Sequence, residues 1–547
     1  MKKNIRLIIL LILAVLVLAA GLIVVLNLPD PQGGGNTKVS DNADLLLYDK
    51  TSLDAEEISV SNSGGDYVLV GYSYKDKVSG QESSESSESS KKESSASESS
   101  ENKREDAETS SLGIKMYYTM QDYENIELSK NMTDQLSYQC SCLTALKLVD
   151  KSGSKYGEYG LDKPVSTVKT VFSDDSEETI YIGREAPDNQ GLYCRRGNDK
   201  NVYLVQAASV NMFLVKKFQM FDKTISAEYS EMINDEDKNE IVMLSFDGKA
   251  YDKAIKIDSG DDLALNSKYK MHSPNHEICA QEFVQKTGES LYGLSGSEVV
   301  AANITAEEKK KYGLDDPYLK INVKALDGST VTLYASKTDK DGKCCVMNEE
   351  EKLIFRMDKD EISKWYGLEY KDFLANAIVM PNIDYMTGIK IWYDGEDTDI
   401  TIKNEKKLND LFEEIVSTTA TVNGKRINFI NLDNFLKNLA GMTRKSMDIN
   451  SVDGYEKQAS FVFSYQKDKE KLSDELVIYK NGKGEYAVTL NGMVECTVDA
   501  EYVNKLLPQI KMIGGDKEIE TIVTSDEASS QESEKASSAE NSSEKTE

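Results

Sequence analysis

The sequence offers few side chains of the kinds that enzymes use for catalysis or for metal binding. It contains only two histidines, His272 and His276, which flank Ser273-Pro274-Asn275 at an expected helix start. A structural zinc site needs four ligands, and no HExxH-type motif supplies further ones here. A histidine-activated serine or cysteine would also have to use one of these two residues. The sequence therefore predicts no catalytic residue and no metal ligand.

Other motif-like segments are more typical of turns than of sites. Asp339-Lys340-Asp341-Gly342 begins like a calcium loop, but the later ligands of such a loop do not follow. There is no phosphate-binding loop and no dinucleotide fingerprint, so no cofactor is predicted. With 94 acidic residues in the chain, a catalytic carboxylate pair cannot be singled out. A carboxylate-dependent hydrolase of the cell envelope stays open as an alternative to a non-enzymatic protein.

Charge and hydropathy limit the partners. The net charge is -29 over 547 residues, which excludes nucleic acid because phosphate binding needs clustered lysine and arginine. Lys2, Lys3 and Arg6 precede twenty uncharged residues, Leu7–Leu26, and about that number spans a bilayer. Basic residues stay on the cytoplasmic side. We expect residues 1–28 to anchor the chain as a single transmembrane helix, with the N-terminus inside and the rest outside.

Three segments are expected to lack a fold. Residues 29–45 read as a linker that contains Gly33-Gly34-Gly35. Residues 80–111 and 516–547 are rich in serine and glutamate and have no apolar periodicity, so they cannot bury enough surface to become ordered. For the N-terminal apolar segment, cleavage as a secretion signal at Ala19-Ala20-Gly21 is the alternative to a retained transmembrane anchor.

The remaining chain contains an internal repeat. Alternating apolar residues followed by a polar glycine turn begin at Ile58, Ile241 and Ile389, which predicts three β-hairpins. The segment Tyr159–Pro164 (YGLDKP) matches Tyr312–Pro317 (YGLDDP), 153 positions later. When the serine-rich segment is left out of the count, the starts of successive hairpins are separated by nearly the same number of residues as the two markers. The spacing predicts tandem copies of one unit of about 150 residues, the size of a domain.

The YGLDxP marker is typical of a helix end. Its glycine can take the left-handed conformation that closes a helix, and its proline prevents continuation. Thr305-Ala306-Glu307-Glu308 before the second marker is a capping box. Asp162 and Asp315 are therefore expected to serve a turn rather than catalysis.

Each copy is predicted to be α+β, an antiparallel sheet covered by helices. Four strands should follow the first marker and four the second, with a similar run in the third copy. A helix should precede each run of strands, at Met132–Leu146, His276–Leu291 and Leu432–Leu439. A second helix should follow each run, at Ala208–Lys217, Lys359–Tyr366 and Ala500–Ile510. The predicted domains are 46–227 (with the insertion 80–111), 228–384 and a degenerate 385–515.

The seven cysteines leave two alternatives open. Cys194 aligns with Cys345, so a bridge from helix to sheet could join Cys194 to Cys140 or Cys142, and Cys279 to Cys344 or Cys345. The alternative, favoured because the third copy has only Cys496, is that they are small buried apolar side chains.

With the N-terminal anchor, the YGLDxP marker, Tyr181-Ile182-Gly183 and Val202–Val205, the chain resembles the bacterial domain-of-unknown-function 4340 family over about residues 46–384. That family has no established activity and no agreed catalytic residues. Its members are often encoded beside ABC-type export systems similar to gliding-motility transporters. The resemblance implies an accessory, non-enzymatic binding or scaffold role at such a transporter or at another envelope component. A passive surface stalk or adhesin is a further alternative.

Overall fold

The computed structural model describes residues 45–51, 54–73, 116–187, 190–197, 199–234, 236–408 and 414–522. The predicted anchor Leu7–Leu26, the insertion 80–111 and residues 523–547 of the predicted tail 516–547 lie outside these residues. The prediction was wrong for 516–522, because Ile519 and Ile522 are buried in the core of the third sheet and their N–H groups donate to Asn431 and Asn438. Within the described part of the chain, no helix is long and apolar enough to cross a membrane.

Antiparallel strands are the main regular structure of the described chain, and they form three nine-stranded sheets that follow one another along the sequence. The first sheet contains β1 Leu46–Asp49, β2 Ala55–Asn62, β3 Tyr67–Ser73, β4 Met116–Met120, β5 Cys142–Asp150, β6 Ser166–Phe172, β7 Glu177–Glu185, β8 Leu192–Arg196 and β9 Val202–Val205. The second contains β10 Ile241–Asp247, β11 Ile255–Asp258, β12 Lys270–Ser273, β13 Glu277–Ile278, β14 Glu298–Ala302, β15 Leu319–Ala325, β16 Thr330–Ala335, β17 Cys344–Asn348 and β18 Leu353–Met357. The third contains β19 Met386–Tyr393, β20 Glu396–Leu408, β21 Glu414–Val422, β22 Lys425–Arg426, β23 Arg444–Ser446, β24 Glu456–Lys467, β25 Glu470–Lys480, β26 Tyr486–Leu490 and β27 Met493–Val498.

In the part of the chain that the structure describes, helices are few and short. The α-helices are α1 Lys130–Ser141, α2 Tyr156–Tyr159, α3 Gln281–Glu289, α4 Ala306–Lys311, α5 Lys359–Ile362, α6 Phe429–Ala440 and α7 Ala500–Leu506. The 3₁₀ turns are Ala207–Ser209, Asn211–Leu214, Lys217–Met220, Tyr370–Phe373 and Leu507–Met512.

One strand order recurs in the three sheets. The second sheet runs β13-β12-β11-β10-β15-β16-β17-β18-β14, and the third repeats this order strand for strand as β22-β21-β20-β19-β24-β25-β26-β27-β23. The first sheet, read from β4, runs β4-β3-β2-β6-β7-β8-β9-β5-β1. Within the described residues it shares eight strands of the order, shows no counterpart of β13 and has β1 at the opposite edge instead. The predicted hairpins and four-strand runs therefore occupy equivalent places in each sheet.

Both YGLDxP markers close a helix at the same point in the strand order. Gly160 follows α2 with φ of 71°, and Gly313 follows α4 with φ of 70°, the left-handed region that glycine adopts without steric cost. Each marker lies between equivalent strands, β5 and β6 in one sheet and β14 and β15 in the next. The capping box at Thr305 is present, with its hydroxyl accepting the N–H of Glu308. Asp162 and Asp315 are exposed in these turns.

Several predicted helices differ from the structure. The helix predicted over 132–146 ends at Ser141, because Leu143 and Ala145 alternate with exposed neighbours and pair β5 with β1 and β9. The helix predicted from His276 begins at Gln281, since Glu277–Ile278 pairs with β12 instead. Strand pairing has overridden local helix preference in both places. The helix predicted over 208–217 is a series of 3₁₀ turns, and the one predicted over 359–366 is the four-residue α5.

The chain divides into two compact units. Of the described residues, the first unit takes in those up to Tyr118 and Met132–Val215, and the second takes in Thr119–Asn131 and those from Lys216 onward. The second unit therefore holds both the second and the third sheet. All seven cysteines are free thiols, five of them buried. Cys142 lies in β5 rather than on a helix, and the thiols fill space as small apolar side chains do.

Candidate functional site

The two histidines lie opposite each other on one hairpin of the second sheet. Strands β12 and β13 pair Lys270 with Ile278 and Met271 with Glu277, which places His272 across from His276. Facing side chains of paired strands are close neighbours on one face. The two imidazole rings are stacked, with centroids 5.6 Å apart and planes inclined by 23°. The four-residue spacing seen in the sequence is thus a cross-strand pair and not a helical one.

An aspartate accompanies each histidine. Asp262 Oδ2 lies 2.8 Å from His276 Nε2, and Asp258 Oδ2 lies 3.0 Å from His272 Nε2. Both acids come from the end of β11 and the loop that follows it, and the pairing of β11 with β12 brings them alongside the hairpin. The inner pair is the more enclosed, because the Asp262 side chain is 8% exposed and that of His272 is 39% exposed.

The Asp262 carboxylate is held by the backbone around it. The N–H groups of Ala264 and Leu265 both donate to Oδ1 at 2.8 Å, so Oδ2 is left to face His276. Burial opposes ionisation of this carboxyl, but the hydrogen bonds from His276 and Leu265 outweigh it and lower the pKa of Asp262 to about 2. Burial disfavours the charged form of His276 as well, which on its own would lower the pKa of this histidine. The hydrogen bond and the charge of Asp262 outweigh burial, so the pKa of His276 is raised.

This arrangement suits ion binding better than nucleophilic catalysis. One oxygen of Asp262 and one ring nitrogen each of His272 and His276 lie within 4.8 Å of one another. Two imidazoles and a carboxylate form a donor set that divalent transition metals accept. The neighbouring Ser273 hydroxyl donates to the Ala254 carbonyl oxygen at 2.5 Å, so it is directed away from a role as a nucleophile activated by histidine.

The next residue of the same hairpin enters a buried ion cluster. Arg444 Nη2, on β23 of the third sheet, lies 2.5 Å from Glu277 Oε2 and 3.5 Å from Glu495 Oε2. All three side chains are at most 4% exposed. Arg444 also donates to the carbonyl oxygens of Ala375 and Ala377. Burial and the charge of Glu277 raise the pKa of Glu495 to about 8, against the opposing charge of Arg444.

The polar clusters lie where the second and third sheets pack together. Leu263, Ala264, Leu265 and Ile278 share one apolar core with the third sheet. Beside it, Asp261 Oδ2 accepts hydrogen bonds from Tyr385 and Lys467, both at 2.8 Å. The loop at 258–265 and the β12–β13 hairpin therefore form the junction between the two sheets, and we call them the junction segment.

A groove lies beside the junction segment. Its wall includes Tyr251, Tyr318 and Tyr370 together with Leu368 and Pro274. The Tyr251 hydroxyl donates to the Leu368 carbonyl oxygen at 2.8 Å, which fixes the ring. Tyrosines that offer both an apolar face and a polar edge are typical of binding surfaces.

Sequence reasoning singled out no catalytic, cofactor or metal residue, and it missed this cluster. The two histidines were visible, but each one's aspartate lies 14 residues upstream and reaches it only through the strand register. The available signal was the proline midway between the histidines, which suits a hairpin turn. The calcium-like start at Asp339 is a turn, as predicted, in which the carboxylate accepts the N–H groups of Asp341 and Lys343.

Comparison with protein families gives one match. Residues 119–277 match the family described as a domain of unknown function (DUF4340). The family predicted from the sequence is confirmed over these residues, which end within the β12–β13 hairpin. No curated protein and no solved structure matches the chain.

Proposed function

On the basis of this family match, we propose that the protein is a non-enzymatic, membrane-anchored scaffold or binding protein whose folded part lies outside the cytoplasm. Leu7–Leu26 provides the anchor, and the three sheets are tandem copies of one unit over 46–227, 228–384 and 385–515. The partner is a membrane component, in the first place the subunits of an ABC-type export system.

The observation that carries this proposal is the strand order shared by the three sheets. Repeating one sheet along a chain multiplies the surface and the strand edges available to partners, whereas a catalytic centre has to be assembled only once. Exposed sheet edges accept extended segments of other proteins by main-chain hydrogen bonding. A triplicated sheet is therefore better suited to binding than to catalysis.

The junction supports the same proposal. Arg444 joins Glu277 of the second sheet to Glu495 of the third in a buried cluster. The shared apolar core includes Leu263, Ala264, Leu265 and Ile278 of the junction segment. Large, well-packed contacts of this kind limit relative movement of domains, so the second and third sheets would present their surfaces to a partner at a fixed spacing.

The link to an export system rests on the association known for the family, which is analogy and not chemistry. It is tested by cross-linking in cells that make the full chain with a C-terminal affinity tag, followed by capture from detergent extracts. The matched control carries residues 1–45 fused to an unrelated folded domain, so that partners of the anchor alone are recognised.

Membrane subunits of an ABC-type transporter, recovered in near-equal amount with the full chain and absent from the control, are the expected result. Equal recovery with both proteins would place binding in the anchor and contradict a scaffold role for the sheets. Recovery of no membrane protein would instead favour a passive stalk.

A further inference from the structure

We propose that Asp262, His272 and His276 form a binding site for a divalent transition-metal ion, with zinc as the best-fitting occupant, and that the ion fastens the junction between the second and third sheets. The inference is independent of the proposed function, since a metal can stabilise a scaffold, a stalk or an enzyme alike.

The donor atoms are close to the positions that a metal requires. They lie within 4.8 Å of one another, while ligands at about 2.0–2.2 Å from a tetrahedral ion are about 3.3–3.6 Å apart. Small rotations of exposed side chains close this difference. His272 is the member best able to move, since its side chain is 39% exposed.

The donor types select the ion. Imidazole nitrogen suits zinc, copper, nickel and iron, whereas magnesium and calcium prefer sites made of oxygen alone. Three protein ligands leave one tetrahedral position open. Asp258, whose Oδ2 lies 3.0 Å from His272 Nε2, provides a second carboxylate next to His272.

The carboxylate is fixed as metal ligands usually are. The backbone N–H groups of Ala264 and Leu265 occupy its Oδ1, and Asn382 donates to the main-chain oxygen of Asp262 at 2.7 Å. Hydrogen bonds of this outer kind orient ligands and sustain metal affinity. The side chain of Asp262 thus points Oδ2 toward His276 whether or not an ion is bound.

An ion at this place would join two separate parts of the junction segment. Both histidines come from the β12–β13 hairpin, whereas Asp262 comes from the loop that continues into Leu263, Ala264 and Leu265 in the core of the third sheet. Because binding to the folded state stabilises it, zinc should raise the unfolding temperature of the second unit.

The test is zinc titration calorimetry on the full-length protein purified without a histidine tag, with bound metal counted by elemental analysis. Cobalt(II) absorption in the visible range gives a second readout that reports nitrogen and oxygen ligation directly. One zinc ion per chain is expected, together with no comparable binding of magnesium or calcium.

Three variants locate the site: His272→Gln, His276→Gln and Asp262→Asn. Each should weaken zinc binding by more than about tenfold, because loss of an outer-shell partner alone costs 10–100-fold. Asp258→Asn should weaken it less. Asp341→Asn, which removes an exposed acid from a turn of the second sheet, is the matched control and should bind zinc as the parent does.

His272→Gln keeps the His276–Asp262 pair intact. This variant therefore tests the zinc site even if the other two variants fail to fold. Equal zinc affinity of His272→Gln and the parent would overturn the proposal, and so would the absence of zinc binding by the parent. With only two histidines in the chain, loss of the cobalt spectrum in a folded His272→Gln variant supports it.

Discussion

Replacing Arg444 by methionine should strongly destabilise the second unit, because the buried Glu277 carboxylate would lose its cation. Arg444 lies 2.5 Å from Glu277 and 3.5 Å from Glu495, with all three side chains at most 4% exposed. Breaking a buried ion pair in this way costs about 3–5 kcal/mol of folding free energy. If the urea dependence is about 3 kcal/mol per molar, the unfolding midpoint falls by about 1–1.7 M.

The two tryptophans allow this loss to be followed in both sheets. Trp365 is fully buried beside the second sheet, and Trp392 lies on β19 of the third. Replacing either one by phenylalanine leaves the other as a fluorescent reporter during urea unfolding. Because the ion cluster joins the sheets, both reporters should shift together in Arg444→Met.

The matched control is Arg356→Met, which removes the same side-chain type from a half-exposed pair with Asp339. Exposed pairs contribute little to stability, so this midpoint should stay close to that of the parent. Midpoints that fall equally in the two variants would refute the reasoning, as would a shift of one tryptophan reporter only.

Three further outcomes are expected. As the pH rises from about 4.5 to about 8, the free energy of unfolding should fall by up to about 1.4 kcal/mol per pH unit. The pKa of Glu495 is about 8 in the folded state, so the folded protein keeps a proton that the unfolded protein has already released. Urea midpoints across this range should lose that slope in Glu495→Gln, and an unchanged slope would contradict the assignment. Gly183→Ala should destabilise the first unit by about 1–3 kcal/mol, because the new Cβ would lie 2.2 Å from the Tyr159 carbonyl oxygen. Hydrogen exchange of β7 measures this, with Gly157→Ala as a control whose nearest contact is 3.7 Å; equal exchange in the two variants would disprove the clash. Thr305→Ala should cost about 1 kcal/mol through loss of the α4 cap, seen as faster exchange in α4, and unchanged exchange there would argue against the cap.

The strands were largely predictable from the sequence, because the signals that define them lie within a few neighbouring residues. The hairpin turn at Asp394-Gly395 has φ of 54° and 80°, the left-handed pair that such a dipeptide favours. By contrast, Asp247-Gly248 does not close a two-residue hairpin turn. A hydrogen-bonded turn runs from Gly248 to Tyr251 instead, and β11 begins only at Ile255. Nothing local distinguishes the two dipeptides, because the difference lies in how the following residues pack.

The polar clusters were beyond local reasoning for a related cause. In the sequence, Glu277 is one acidic residue among many. Only the pairing of β13 with β12 directs its side chain toward Arg444 of the third sheet. Asp262 likewise reaches His276 only once β11, β12 and β13 are in register. Contacts of this kind depend on residues far apart in the sequence, which periodicity does not connect.

The most direct test of the proposed function is the location of the folded chain. A reporter that is active only outside the cytoplasm should be active when fused after residue 523, and the fusion protein should remain in the membrane fraction. Added protease should then digest the sheets in intact cells stripped of any wall. An inactive reporter together with full protection of the chain from external protease would contradict the extracytoplasmic scaffold.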